Sequence, residues 1–138
     1  MENNKQLFEL ILSVKRKCQA REDIIQNDLG ISQAEFNGLI VLNDDDEIQG
    51  LHFAERMGLS PSRSSRVLNK LSTRGFVRAA YKPEDRRSVS ITLTPDGNAM
   101  RKKIFSRMQE CETRICTNLD ECRIDEIKEA LIKLEQIL

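Results

Sequence analysis

Apolar residues recur at helical spacing at both ends of the chain and at shorter, mixed spacings between them. Leu7, Ile11, Val14 and Cys18 step by 4, 3 and 4, which places them on one face of a first helix. Met100, Ile104, Met108, Cys111 and Ile115 step by 4, 4, 3 and 4 after the punctuation Pro95-Asp96-Gly97. Ile124, Ile127, Leu131, Leu134 and Leu138 step by 3, 4, 3 and 4, the rhythm of a heptad seam. Such faces need covering. They either close the core of their own chain or pack between two copies, and closed two-fold dimers are the commonest oligomers. The expectation is a homodimer held by the N- and C-terminal helices.

The middle of the chain reads as shorter elements. Ser32, with Glu35 three residues on, has the spacing of a capping box for a helix from Gln33 to Leu42. Asn43-Asp44-Asp45-Asp46-Glu47 then makes an acidic turn. A run of acids can recruit a divalent cation, but such a loop is ordinarily just solvated. Gln49 to Met57 forms another short helix, with Leu51, Ala54 and Met57 on its buried face and Gly58 in the closing position that accepts positive φ. Ser60 caps the next helix and Pro61 fits its first position, where no N–H is needed. On that helix Val67, Leu68 and Leu71 point inward, while Pro61, Ser62, Arg63, Ser65 and Arg66 form its outward first turns. Gly75 ends it. Phe76 to Tyr81 is strand-like, Val89 to Leu93 alternates in period two, and Lys82 to Arg87 joins them as a long charged turn.

Composition sets the class. The chain has 138 residues, 32% charged and 39% hydrophobic, which suits one soluble globular domain. There is no apolar run of membrane-spanning length and no signal-peptide pattern at the N-terminus, so a cytoplasmic location is expected. The four cysteines are then reduced thiols. Aromatics are scarce, with five Phe, one Tyr and no Trp, which disfavours a stacking platform for single strands.

Charge changes the picture most. The net charge is +0, yet Ser60 to Ser90 holds eight bases (Arg63, Arg66, Lys70, Arg74, Arg78, Lys82, Arg86 and Arg87) against two acids, Glu84 and Asp85. A localised excess of cations is the footprint of a phosphate-contacting surface. The first turns of a capped helix expose N–H groups that favour phosphate, serine hydroxyls can meet several base edges, and arginine can pair bidentately with guanine. A cationic hairpin tip can place Arg86 in a narrow minor groove, while Asp85 can brace the Arg87 guanidinium and fix the hairpin's shape. The DNA-contacting set is therefore Ser60, Pro61, Ser62, Arg63, Ser65, Arg66, Lys70, Arg86 and Arg87.

The stretches Leu51 to Ser60, Arg66 to Val77 and Asp85 to Gly97, the last with its Asp-x-Arg turn and Leu-Thr-x-x-Gly return, resemble the winged helix-turn-helix of MarR-family transcription regulators. Gly30 to Phe36 resembles the opening of that family's second helix, with Glu35 where Gln is usual. The resemblance implies a mainly α fold with a small β-hairpin wing (α+β). Residues 1–30 and 98–138 would supply dimerisation helices, and residues 31–97 a DNA-binding lobe, within a single domain. It further implies one winged helix per subunit on a pseudo-palindromic duplex, repression of nearby genes, and release by a small-molecule effector or by thiol oxidation.

The cysteines divide. Cys18 and Cys111 lie on apolar stripes, where cysteine behaves as a small hydrophobe, whereas Cys116 is one step off its stripe and Cys122 falls near the turn into the last helix. No C-x2-C knuckle occurs, which disfavours a structural zinc or cluster site, and no cofactor is expected. Yet Cys18, Cys111, Cys116 and Cys122 all belong to the segments expected to form the dimer interface, where they could converge as a redox or metal sensor, against the plainer reading of packed thiols. Lys15, Arg16, Lys17 and Arg21 flank Cys18 and would lower its pKa if it reaches solvent. Some MarR relatives sense peroxide through a first-helix cysteine held by tyrosine hydroxyls, but here the one tyrosine is Tyr81, in the wing. Catalytic motifs are missing: there is no Gly-rich phosphate loop, H-E-x-x-H or G-x-S-x-G, and the single histidine, His52, has no evident nucleophile partner. An enzyme is not expected. The rival reading is a winged helix that binds protein or acts as an antirepressor without an operator of its own.

Overall fold

A computed structural model describes residues 5–43 and 47–138, with the side chains of Arg86 and Arg87 outside the description. Among the described residues the order is α1 (Leu7–Leu29), α2 (Gln33–Ile40), β1 (Ile48–Gln49), α3 (Gly50–Met57), α4 (Pro61–Thr73), β2 (Val77–Lys82), β3 (Asp85–Leu93), α5 (Pro95–Asn118) and α6 (Glu121–Ile137). The fold is mainly helical with a small antiparallel sheet in the order β1-β3-β2. The chain divides after Ile104, within α5, into two units.

In the first unit the core gathers α2, α3, α4 and the sheet around the fully buried Phe36, Leu39, Phe53, Leu71, Ile91 and Ile104. Local chemistry sets the helix ends. Ser32 Oγ accepts the Glu35 N–H at 3.2 Å while Glu35 Oε1 accepts the Ser32 N–H at 3.0 Å, the capping box read from the sequence. The helix it starts ends at Ile40, two residues before the expected Leu42. Of α1, only Ile25 and Gln26 are buried. A polar knot ties α1 to α2: Gln33 Oε1 accepts from Gln19 at 2.8 Å and Gln26 at 2.9 Å, and its Nε2 donates to Asn37 at 3.0 Å and to Glu22 at 3.4 Å.

Three expectations are corrected here. Of the apolar step Leu51, Ala54, Met57, Ala54 is buried and Met57 packs against the core as expected, but Leu51 is 67% exposed and Phe53 faces the core in its place. The larger ring gains more from burial, so it takes the inward position. The strand β1 was not expected; it pairs Ile48 with Ile91 and Gln49 with Ser90, and Glu47 accepts a hydrogen bond from Ser90. The long charged turn is short: Lys82 pairs with Asp85, leaving Pro83 and Glu84 at the tip, with a bulge at Tyr81/Lys82. The acidic run expected at Asp44, Asp45 and Asp46 lies outside the described residues.

The second unit, Phe105–Leu138, holds the rest of α5 and all of α6. Asp120 caps α6, accepting the Arg123 N–H at 2.8 Å. Nothing on α6 is buried within the chain. Ile124 and Leu134 are half-buried, whereas Ile127, Leu131 and Leu138 of the same seam are exposed.

Candidate nucleic-acid interface

The interface candidate is built on a turn. Gly58 closes α3 at φ 66°, donating to Ala54 O and Glu55 O, and the Leu59 N–H reaches back to Ala54 O at 3.0 Å. Leu59, half-buried, leads into Ser60, whose extended backbone lets its Oγ accept the Arg63 N–H at 3.3 Å. Pro61 occupies the first helical position. Ser64, absent from the expected set, is buried and donates its hydroxyl to Pro61 O at 3.0 Å, tightening the first turn from within.

With Ser64, Val67, Leu68 and Leu71 turned to the core, the outer face of α4 carries Ser62, Arg63, Ser65, Arg66 and Lys70, all exposed. Arg63 and Arg66 flank a concave surface of about 340 Å³ whose other walls include Gln33, Asn37, Met57 and Leu59. Neither guanidinium has an internal hydrogen-bond or ion-pair partner among the described residues. Two unpaired cations on the open first turns of a capped helix are ready to meet an anion.

The wing follows. β2 and β3 pair from Val77 with Leu93 out to Lys82 with Asp85. Its return is locked at the base: the Thr94 N–H donates to Phe76 O at 3.0 Å, the Thr94 hydroxyl donates to Gly75 O, and the Gly97 N–H donates to Thr94 Oγ1 at 3.0 Å. A Cβ on residue 97 would lie 1.9 Å from Phe76 O, so only glycine fits. The Leu-Thr-x-x-Gly return is thus a structural latch for the wing.

The structure therefore gathers Ser60, Pro61, Ser62, Arg63, Ser65, Arg66 and Lys70 on one exposed helix. Arg86 and Arg87 lie on β3 by backbone, but their side chains, and with them the expected Asp85–Arg87 brace, fall outside the described residues. Arg78 and Lys82, left out of the expected set, stand exposed on β2. Arg74 turns the other way. Counted among the eight local cations, it is held by Glu35 at 3.1 Å.

Cys18, Cys116 and Cys122 are exposed and Cys111 is half-buried, so the apolar-stripe reading does not bury Cys18 within its own chain. Among the described residues no three His, Cys, Asp or Glu side chains converge on a metal position. His52 is exposed at the start of α3. No described helix is long and apolar enough to cross a membrane.

A helix, a tight turn, a second helix with an open cationic first turn and an antiparallel hairpin define a winged helix-turn-helix. Residues 31–89 match the model of the MarR family. The chain is 35% identical over 82 residues to YfiV of Bacillus subtilis strain 168, an uncharacterized HTH-type transcriptional regulator. That match covers 59% of this chain and 49% of YfiV, so the chain spans about half the length of that relative. It is 22% identical over 130 residues to the transcriptional repressor MprA of Escherichia coli K12, covering 93% of this chain and 74% of MprA. The crystal structure of apo MarR from E. coli superposes with a TM-score of 0.75 at 22% identity, covering 96% of this chain and 98% of that one. At that identity the likeness is one of fold.

Proposed function

We propose that this chain is a sequence-specific, double-stranded DNA-binding transcription regulator, acting as a homodimeric repressor on a pseudo-palindromic operator. One observation carries the reading: Arg63 and Arg66 stand unpaired beside Ser62 and Ser65 on the exposed first turns of α4. The match to the family model and the regulator names of the relatives support it. Arg66 reads a base edge, Arg63 and Lys70 meet the duplex along the same face, and Arg78, Lys82, Arg86 and Arg87 bring the wing to phosphates or the minor groove. Residues 1–30 and 98–138 supply the dimer, their exposed apolar faces being covered by the second copy. Release follows from a small-molecule or thiol-reactive signal, with Cys18, Cys111, Cys116 and Cys122 as the candidate thiols. Of these, Cys116 and Cys122 are exposed and lie off the apolar stripes that the second copy would cover.

The test is fluorescence anisotropy of the reduced protein on duplex from its own upstream region, against scrambled duplex, at two salt concentrations. Arg66→Ala is expected to cost about 1–3 kcal/mol and to relax preference at one position per half-site. Equal binding of both duplexes by wild type, or no effect of Arg66→Ala, would overturn the assignment.

A further inference from the structure

Arg74 caps the C-terminus of α4 and reaches three neighbours at once. Its Nη1 donates to Glu35 Oε2 at 3.1 Å, and Nη1 and Nη2 both donate to Gly30 O at 3.3 Å. The same guanidinium lies over the Phe76 ring, 5.1 Å from its centroid. Gly30 is the left-handed cap of α1, Glu35 belongs to the capping box of α2, and Phe76 is the residue before β2. One planar cation thus fastens the end of α1, the start of α2 and the root of the wing to the end of the recognition helix.

The chemistry suits a joint better than a surface ion pair. Glu35 is only 6% exposed, and a carboxylate that deep is stable only when paired and hydrogen-bonded. It is satisfied from two sides, by the Ser32 N–H on Oε1 and by Arg74 on Oε2. The terminal carbonyl of a helix attracts a cation, and Gly30 O receives one. Lysine's ammonium has donors enough for the carboxylate and the carbonyl, but it is a compact point charge without the planar fork that meets both while lying flat on a ring.

We infer that Arg74 and Glu35 are positioning residues for DNA recognition: they couple α1 to α4 and thereby fix the separation of the two recognition helices. The inference rests on the dimeric operator-binding reading above. Two identical helices must enter successive major grooves about 34 Å apart. A loosened α1–α4 joint would let that separation wander, blurring the register between half-sites. Arg74 is also 44% exposed at its side chain, so a direct phosphate contact is the competing role, and the two differ in a measurable way.

The experiment uses the full chain with Arg74→Lys, Arg74→Met and Glu35→Gln. Circular dichroism and sedimentation first establish fold and assembly state. Anisotropy then measures binding to duplexes whose half-sites are moved one or two base pairs closer or further apart, at three salt concentrations. Wild type is expected to prefer one spacing steeply. Both Arg74 variants should bind that spacing about tenfold more weakly while losing less at the others, so that the spacing profile flattens and the salt slope stays unchanged. Glu35→Gln keeps an acceptor for Arg74 and should fall between. A profile unaltered in shape by Arg74→Lys overturns the inference, even if Arg74→Met fails to fold. A salt slope reduced by about 1 with the profile intact also overturns it and makes Arg74 a phosphate contact. Wild type with no preferred duplex overturns the functional reading and this inference together.

Discussion

The winged-helix lobe and the terminal helices carry the same kind of amphipathic stripe and treat it differently. On α4, Val67, Leu68 and Leu71 are sealed against α2, α3 and the sheet. On α6, Ile127 and Leu131 recur at a spacing just as regular, yet Leu131 is 58% exposed. Burying one such side chain is worth about 1.5–3 kcal/mol, so α6 alone leaves several kcal/mol unrealised. Periodicity tells that a face needs a cover; it does not tell whether the cover comes from the same chain. In the lobe it does. For α1 and α6 the proposed dimer supplies it.

The sharpest way to break that contrast is Leu131→Asp. If the α6 seam is the interface, a buried charge there should leave a monomer at micromolar concentration in sedimentation and weaken operator binding by more than about a hundredfold. A dimer that survives would return the seam to the bland status of a solvated stripe. Leu71→Ala should do the opposite, removing about 2–5 kcal/mol of stability in urea titration while leaving the assembly state of the folded protein unchanged. Gly97→Ala places a methyl group against Phe76 O. We expect a loss of about 1–3 kcal/mol, read as a lower melting temperature, with a displaced wing that weakens DNA binding in parallel. Ser60→Ala removes one cap and should cost about 1 kcal/mol. Glycine at that position should cost only a few tenths, which separates capping from any contact the hydroxyl makes with DNA.

What could be read from the sequence was local. Ser32 with Glu35, Gly58, Ser60 with Pro61, and Gly75 all act within a few residues of themselves, and each sits where the pattern put it. The β1 strand was not legible because two residues carry no period, and its partner Ile91 lies 43 positions away in the chain. Leu51 went wrong for a related reason: spacing gives the period of an eight-residue helix but not its phase. Arg74 shows the limit of counting charge. Its sign was visible, but its direction depends on Gly30 O and Glu35 on other helices, and no local signal distinguishes it from Arg66.

The knot around Gln33 has a chemical consequence. Its amide oxygen takes two N–H groups, and its nitrogen faces Glu22, a carboxylate that can only accept. The amide can therefore sit only one way round. Deamidation of this single side chain would leave a second carboxylate facing Glu22 and the Asn37 oxygen, with no proton to offer either. The join between α1 and α2 thus depends on one amide nitrogen keeping its protons, and the loss of that nitrogen would register as a change of about one mass unit in the intact protein.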